Sequence, residues 1–108
     1  MGKHKNSNDA VGNFGIYQIM VDEVVYKIGK ADLDRVTKST STPTRIHQQI
    51  RKLRKKYVKQ NVFYILLEEL LGSTTSHAKK VEQAILEIVI LDMGYVPDGN
   101  SKSYKPKK

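Results

Sequence analysis

Two runs rich in β-branched and aromatic residues, Phe14 to Val21 and Val24 to Lys30, are separated by only Asp22 and Glu23. So short a step joins antiparallel strands through a hairpin turn, because a parallel pair needs a crossover of about a dozen residues or more. The rest of the chain must therefore pack around an N-terminal hairpin. Successive side chains of a strand point to opposite faces, so Tyr17, Ile19 and Val21 share one face while Ile16, Gln18 and Met20 share the other.

Beyond Gly29, the stretch from Ala31 to Thr42 has many Ser and Thr and no period, and reads as a loop. Helix signals begin at Thr42-Pro43-Thr44-Arg45, with Thr42 as N-cap and Pro43 at the first helical position. Ile46, Ile50, Leu53 and Tyr57 then make one apolar stripe, and the rest of that helix is Arg, Lys and Gln. Asn61 to Leu70 reads as a third strand, mostly buried because its apolar run is nearly continuous. Gly72 to Ser76 is a loop ending in a Ser N-cap candidate, and Ala78 to Met93 is a second helix closed by Gly94 as αL cap. Its apolar residues go most of the way round, so it is expected either to be buried on more than one side or to contribute to a dimer interface.

The order β-β-α-β-α predicts an α+β fold, a three-stranded antiparallel sheet flanked by helices. A length of 108 residues leaves room for one domain with one modest core. That domain is expected over residues 14–100, between a flexible N-terminal tail, 1–13, and a basic C-terminal tail, 101–108. Residues 97–108 are expected to fray except around Asn100.

Charge is unevenly placed. The formal net charge is +8, yet from Arg35 to Leu67 there is no carboxylate and nine Lys or Arg, so the remainder of the chain is close to neutral. One basic segment carrying the whole excess suits contact with a phosphate backbone, and Arg51, Lys52, Arg54, Lys55, Lys56 and Lys59 are the candidate nucleic-acid-binding residues. A basic helix solvated by water and without a partner has the same composition. With no cysteine there is no disulfide framework or thiolate site, and His4, His47 and His77 lack zinc spacing. No apolar run reaches the roughly 18 residues of a membrane span and Met1 to Asp9 is polar, so a cytoplasmic, nucleic-acid-associated protein without membrane contact is expected.

Gly15-Ile16-Tyr17 on the first strand and Lys27-Ile28-Gly29, followed by Lys30-Ala31, on the second are separated by nine residues. An Arg on the next helix, Arg45, a Glu within the last helix, Glu82 in V-E-Q-A-I-L, and Asn100 near the C-terminus follow in order. Across residues 14 to 100 this set resembles the GIY-YIG nuclease superfamily, in a compact single-domain form with K-I-G in place of Y-I-G. Two departures stand out. Lys27 occupies the position of the second tyrosine, with Tyr26 one residue earlier and so expected on the opposite face. Arg45 comes sixteen residues after Gly29, a longer gap than usual, while Arg35 comes six after. Arg45 is preferred because it sits in the first turn of a helix, whereas Arg35 lies in the loop.

The resemblance implies a metal-dependent endonuclease that hydrolyses phosphodiester bonds, of DNA rather than RNA, with one Mg²⁺ or Mn²⁺ held by Glu82. It gives catalytic roles to Tyr17, Lys27, Arg45 and Glu82. Arg45 would brace the phosphate, and Tyr17 would orient or deprotonate the attacking water. Lys27 would lower the pKa of Tyr17 or itself take the proton. Lys30, His47, Gln49 and Asn100 would be supporting residues: Gln49 lies four residues beyond Arg45, where the family often has Tyr or His, and His47 would point about 200° around the helix from Arg45. Singly, each residue has a plainer reading, Tyr17 as core and Glu82 as a helix-surface residue paired with Lys79. Two other functions stay open, a catalytically degenerate nucleic-acid-binding module and a subunit of a larger complex. A symmetric homodimer is one way for so small a chain to cut two strands.

Overall fold

The computed structural model describes residues 10–102 and Tyr104. In chain order the elements are β1 (Val11–Val21), β2 (Val24–Asp32), β3 (Val36–Thr37), β4 (Thr42–Pro43), α1 (Thr44–Leu53), β5 (Val62–Thr74) and α2 (Thr75–Met93), with short 3₁₀ turns at Lys59–Asn61 and Asp98–Asn100. The class is α+β. The main sheet has the order β2-β1-β5 and is antiparallel throughout. The connection from β1 to β2 is left-handed at both residues, Asp22 with φ 52° and Glu23 with φ 66°, as a two-residue turn matched to strand twist requires. Asn61 holds this turn from outside: its amide donates to Asp22 Oδ1 at 2.9 Å, and its carbonyl accepts from Asp22 N–H at 3.0 Å.

β1 is the central strand, and alternation sends its side chains into two cores. Tyr17, Ile19 and Val21 pack with Ala31, Val62 and the α1 stripe of Ile46, Ile50 and Leu53. Ile16 and Ile28 pack on the other face with Leu86 of α2, joined by partly buried Leu70, Val81 and Ile85. One helix therefore covers each face. Among the described residues no helix is long and apolar enough to cross a membrane.

Several expected boundaries move. β1 begins at Val11, so residues 11–13 of the expected tail belong to a strand, while 1–9 lie outside the described residues. The Ser/Thr-rich loop contains a small antiparallel pair, Val36 with Pro43 and Thr37 with Thr42. That pairing commits Thr42 to β4 and puts Pro43 at the N-cap of α1, with no side-chain cap. α1 ends at Leu53, and Tyr57 packs against the α1-side core from the turn that follows. Thr74, not Ser76, caps α2, accepting from His77 N–H at 3.1 Å, so the helix starts three residues earlier than expected. Gly94 ends it in the left-handed region, φ 83°, as expected.

The C-terminal segment does not fray at its described positions. Asn100 is buried, and Tyr104 packs on the α2-side core with its hydroxyl 3.3 Å from both Glu87 carboxylate oxygens. Ser103 and residues 105–108 of the expected basic tail lie outside the described residues.

The largest correction concerns β5. It was expected to be mostly buried, but only Val62 is, and Phe63 through Glu69 are exposed. The cause is topological: β5 is an edge strand, and the two helices bury their faces chiefly against the hairpin, meeting β5 at Val62 on the α1 side and Leu70 on the α2 side. α2 is likewise not buried all round. Thr75, Ala78 and Leu86 are its buried residues, whereas Ile88 and Leu91 face outward.

Candidate active site

The two tripeptides of the hairpin meet in register, Tyr17 opposite Gly29 and Gly15 opposite Ala31. Tyr17 is fully buried, and its ring lies across Gly29 so closely that a Cβ there would collide with Tyr17 Cζ and Oη and stand 2.8 Å from Cε1. Gly15 makes room in the same way for Leu33 and Leu66, each 2.8 Å from where its Cβ would be. Ile16 and Ile28, the middle residues of the two motifs, are fully buried on the opposite face. The motif thus places a buried tyrosine on one side of the hairpin and an apolar seat for α2 on the other.

Tyr17 Oη donates to Gln49 Oε1 at 3.0 Å. Gln49 follows Arg45 by four residues, so the two share a helix face, turned toward β2. Burial raises the Tyr17 pKa above its usual value of 10.0, a trend Glu82 reinforces and the Arg45 charge and the Gln49 hydrogen bond oppose. The cation that most favours a phenolate there is Arg45.

Glu82 reaches the cluster from the second turn of α2. Burial raises its pKa, against the opposing charges of Lys30, Arg45, Lys27 and Lys79. Burial also lowers the pKa of Lys27, helped by Arg45 and opposed by Glu82. Lys30 is lowered by burial, with Glu82 as the strongest opposing influence. Lys30 Nζ also lies 5.2 Å from the centroid of the Phe14 ring. Tyr17, Lys27, Lys30, Arg45 and Glu82 thus form one electrostatically coupled group drawn from β1, β2, α1 and α2. Arg35, the alternative arginine, is exposed in the segment between β2 and β3. Lys79, read from the sequence only as a surface partner of Glu82, acts on both Glu82 and Lys30; its i, i+3 spacing from Glu82 was the available signal.

Asn100 stands behind this group. Its Oδ1 accepts from Ile28 N–H and its Nδ2 donates to Ile28 C=O, both at 2.9 Å, so one side-chain amide completes the outer edge of β2 between Lys27 and Gly29. Gly99 presses there as well, since its Cβ would stand 2.8 Å from Lys27 Cβ and 2.9 Å from the Tyr26 carbonyl oxygen. A bulge alters the expected place of Tyr26. The register shift between Ile19 and Met20 leaves Tyr26 as an extra residue in β2, and it packs against the α1-side core instead of the opposite face.

His47 is not brought to this cluster. With Ile50, Arg51, Arg54, Lys55 and Lys59 it lines a separate groove of about 350 Å³ on another face of α1. Lys52 and Lys56 are exposed beyond it, Lys56 with its ammonium 5.9 Å from the Tyr57 ring centroid. Arg54 has a structural task too, since its Nε and one terminal nitrogen donate to Val62 C=O at 3.2 and 2.8 Å.

The donor set can be weighed against the implied cation. Glu82 is the carboxylate that couples to Lys27, Lys30 and Tyr17 together, and among the described residues no three His, Cys, Asp or Glu side chains gather as a ready-made cage. One hard oxygen donor amid cations fits Mg²⁺ or Mn²⁺ only if water and substrate phosphate fill the other positions, which is how Mg²⁺ is commonly held. No family model, curated protein or solved structure matches the chain.

Proposed function

We propose that the protein is a GIY-YIG-type endonuclease that hydrolyses phosphodiester bonds of DNA with the help of one divalent cation, Mg²⁺ or Mn²⁺. The observation that carries this reading is the coupling of Tyr17, Lys27, Lys30, Arg45 and Glu82, residues up to 65 positions apart, into one group beside a buried tyrosine. Glu82 would hold the cation, which when bound neutralises phosphate charge and assists the departing oxygen.

The chain's own residues do the rest. Arg45 braces the scissile phosphate through charge-assisted hydrogen bonds, and Lys30 adds a second cationic contact. Tyr17 Oη donates its hydrogen bond to Gln49 Oε1, which leaves its lone pairs to accept from the attacking water and so to orient it. Because burial holds the Tyr17 proton and loosens that of Lys27, Lys27 is the better acceptor for the proton that the water loses. The basic groove on α1 gives a docking surface for flanking phosphates.

That groove also favours a second reading, a module that binds DNA and does not cut it. The test incubates wild type and Glu82→Gln with supercoiled plasmid in Mg²⁺, Mn²⁺ or EDTA. Nicking or linearisation by wild type, lost with EDTA and with the substitution, is expected. Retarded but intact plasmid under all metal conditions would sink the nuclease reading and leave the binding module.

A further inference from the structure

We infer that β5 is the interface of a symmetric homodimer, in which two copies pair edge to edge and antiparallel about a two-fold axis at Ile65. The inference does not rest on the nuclease reading. Its starting point is a conflict between pattern and environment. Val62 to Leu67 is an unbroken apolar run, the pattern of a strand covered on both sides. Within one chain it is an edge strand whose Phe63, Tyr64, Ile65, Leu66, Leu67 and Leu71 remain open to water, Leu71 at 69%. From Val62 to Thr74 the strand carries neither Lys, Arg nor Pro, the residues that usually protect an exposed edge.

The backbone alternation fixes how a second strand would dock. Ile28 turns its N–H and C=O outward to Asn100, and Asp22 turns its N–H to Asn61. Alternation along β1 then points Gln18 toward Ile65 and Met20 toward Phe63, leaving Val62, Tyr64 and Leu66 with outward backbone groups. Val62 C=O is already occupied by Arg54. Tyr64 and Leu66 are the outward pair before the bulge beyond Leu66. A two-fold at Ile65 sets Tyr64 of each copy opposite Leu66 of the other and Phe63 opposite Leu67. The outward N–H and C=O groups of Tyr64 and Leu66 then satisfy one another, and apolar side chains meet on both faces.

Charge complementarity agrees with a second copy as the occupant. In this register Glu68 of one chain falls opposite Val62 of the other, beside the Arg54 guanidinium anchored there, while the four carboxylates at Glu68 and Glu69 stay apart.

The chain has no cysteine, so a single introduced thiol reports directly on proximity. Sedimentation equilibrium of the nucleic-acid-free full chain at high salt should give twice 12.3 kDa. Ile65→Cys, at a non-hydrogen-bonded antiparallel position with Cα atoms about 4.5 Å apart, should oxidise to a covalent dimer. Leu91→Cys, 84% exposed on α2, should stay uncoupled under the same oxidation. A mass of 12.3 kDa at every concentration reached would overturn the inference and give the edge to a different partner. So would a dimer that couples through Leu91→Cys and not through Ile65→Cys.

Discussion

Adding one methyl group at Gly29 should disable the site through Tyr17 alone. Gly29 is not in the left-handed region, so nothing in its backbone conformation demands glycine, and in an open strand Gly→Ala would gain about 0.5–1 kcal/mol. Here the new Cβ would sit inside contact distance of Tyr17 Cζ and Oη, in a place where the ring is fully buried and cannot swing into solvent. The methyl therefore forces the ring off its position and breaks the 3.0 Å bond to Gln49. Overpacking costs about 1–3 kcal/mol and the lost hydrogen bond about 1, so Gly29→Ala should destabilise by about 2–4 kcal/mol.

A double-mutant cycle read by urea unfolding isolates the cause. In a Tyr17→Leu background the aromatic carbons that meet the methyl are gone, and Gly29→Ala should become neutral or mildly stabilising. In a Tyr17→Phe background the clash at Cζ persists and most of the cost should remain. The coupling between Gly29→Ala and Tyr17→Leu should thus reach about 2 kcal/mol or more, far outside the roughly 0.5 kcal/mol expected of independent sites. If Gly29→Ala cost the same beside Leu as beside Tyr, the ring would not be the reason for glycine, and the account of the motif given above would be wrong.

Burial raises the Glu82 pKa, so the folded state holds that proton more tightly than the unfolded state; the contribution is fully present below the unfolded value and is lost as pH rises through the folded one. Glu82→Gln should accordingly match wild type in stability at acid pH and exceed it increasingly toward pH 7, as chemical denaturation across pH in EDTA can show. Asn100→Asp keeps the acceptor for Ile28 N–H but sets a carboxylate against Ile28 C=O, and should cost about 2 kcal/mol near pH 7. That loss should shrink on acidification as the buried carboxyl takes a proton and can donate; a deficit independent of pH would remove the paired amide as its explanation. Replacing Arg51, Lys55 and Lys59 together by Gln, with Arg54 left to hold Val62, should weaken DNA binding and flatten its log–log salt slope by up to about 2.7. An unchanged slope would place the docking surface elsewhere.

The hairpin, both helices and the β-β-α-β-α order were legible because their signals are local: a two-residue step, a stripe at helical spacing, a Gly beyond the last turn. The gathering of Tyr17, Lys27, Arg45 and Glu82 was legible only as an ordered set, since nothing local links a strand tyrosine to a helix glutamate. Three details were hidden by effects that do not act locally. The bulge at Tyr26 breaks the alternation from which its face was read. The β3–β4 pair takes Thr42 away from its cap position. Tyr104, in a stretch expected to fray, packs on the α2-side core with its hydroxyl against Glu87, while Asn100 was the expected exception.

β5 and the polar cluster were misread or under-read for opposite reasons, and both point to something the single chain does not supply. The β5 pattern asks for more cover than one sheet provides, which is the condition a second copy relieves. In the cluster, burial works against the charged forms of Lys27, Lys30 and Glu82 alike, so the folded chain holds these groups at a cost to its stability. A core assembled for stability alone would replace them with apolar side chains. With Arg45, three basic side chains of the cluster face one carboxylate, an excess of positive charge; on the proposed nuclease reading an incoming phosphate diester would offset it. The same reasoning explains why the rigid parts of the site, Gly29 under the Tyr17 ring and Asn100 along the β2 edge, lie beneath and behind the charged groups: positions that oppose folding have to be fixed by neighbours that favour it.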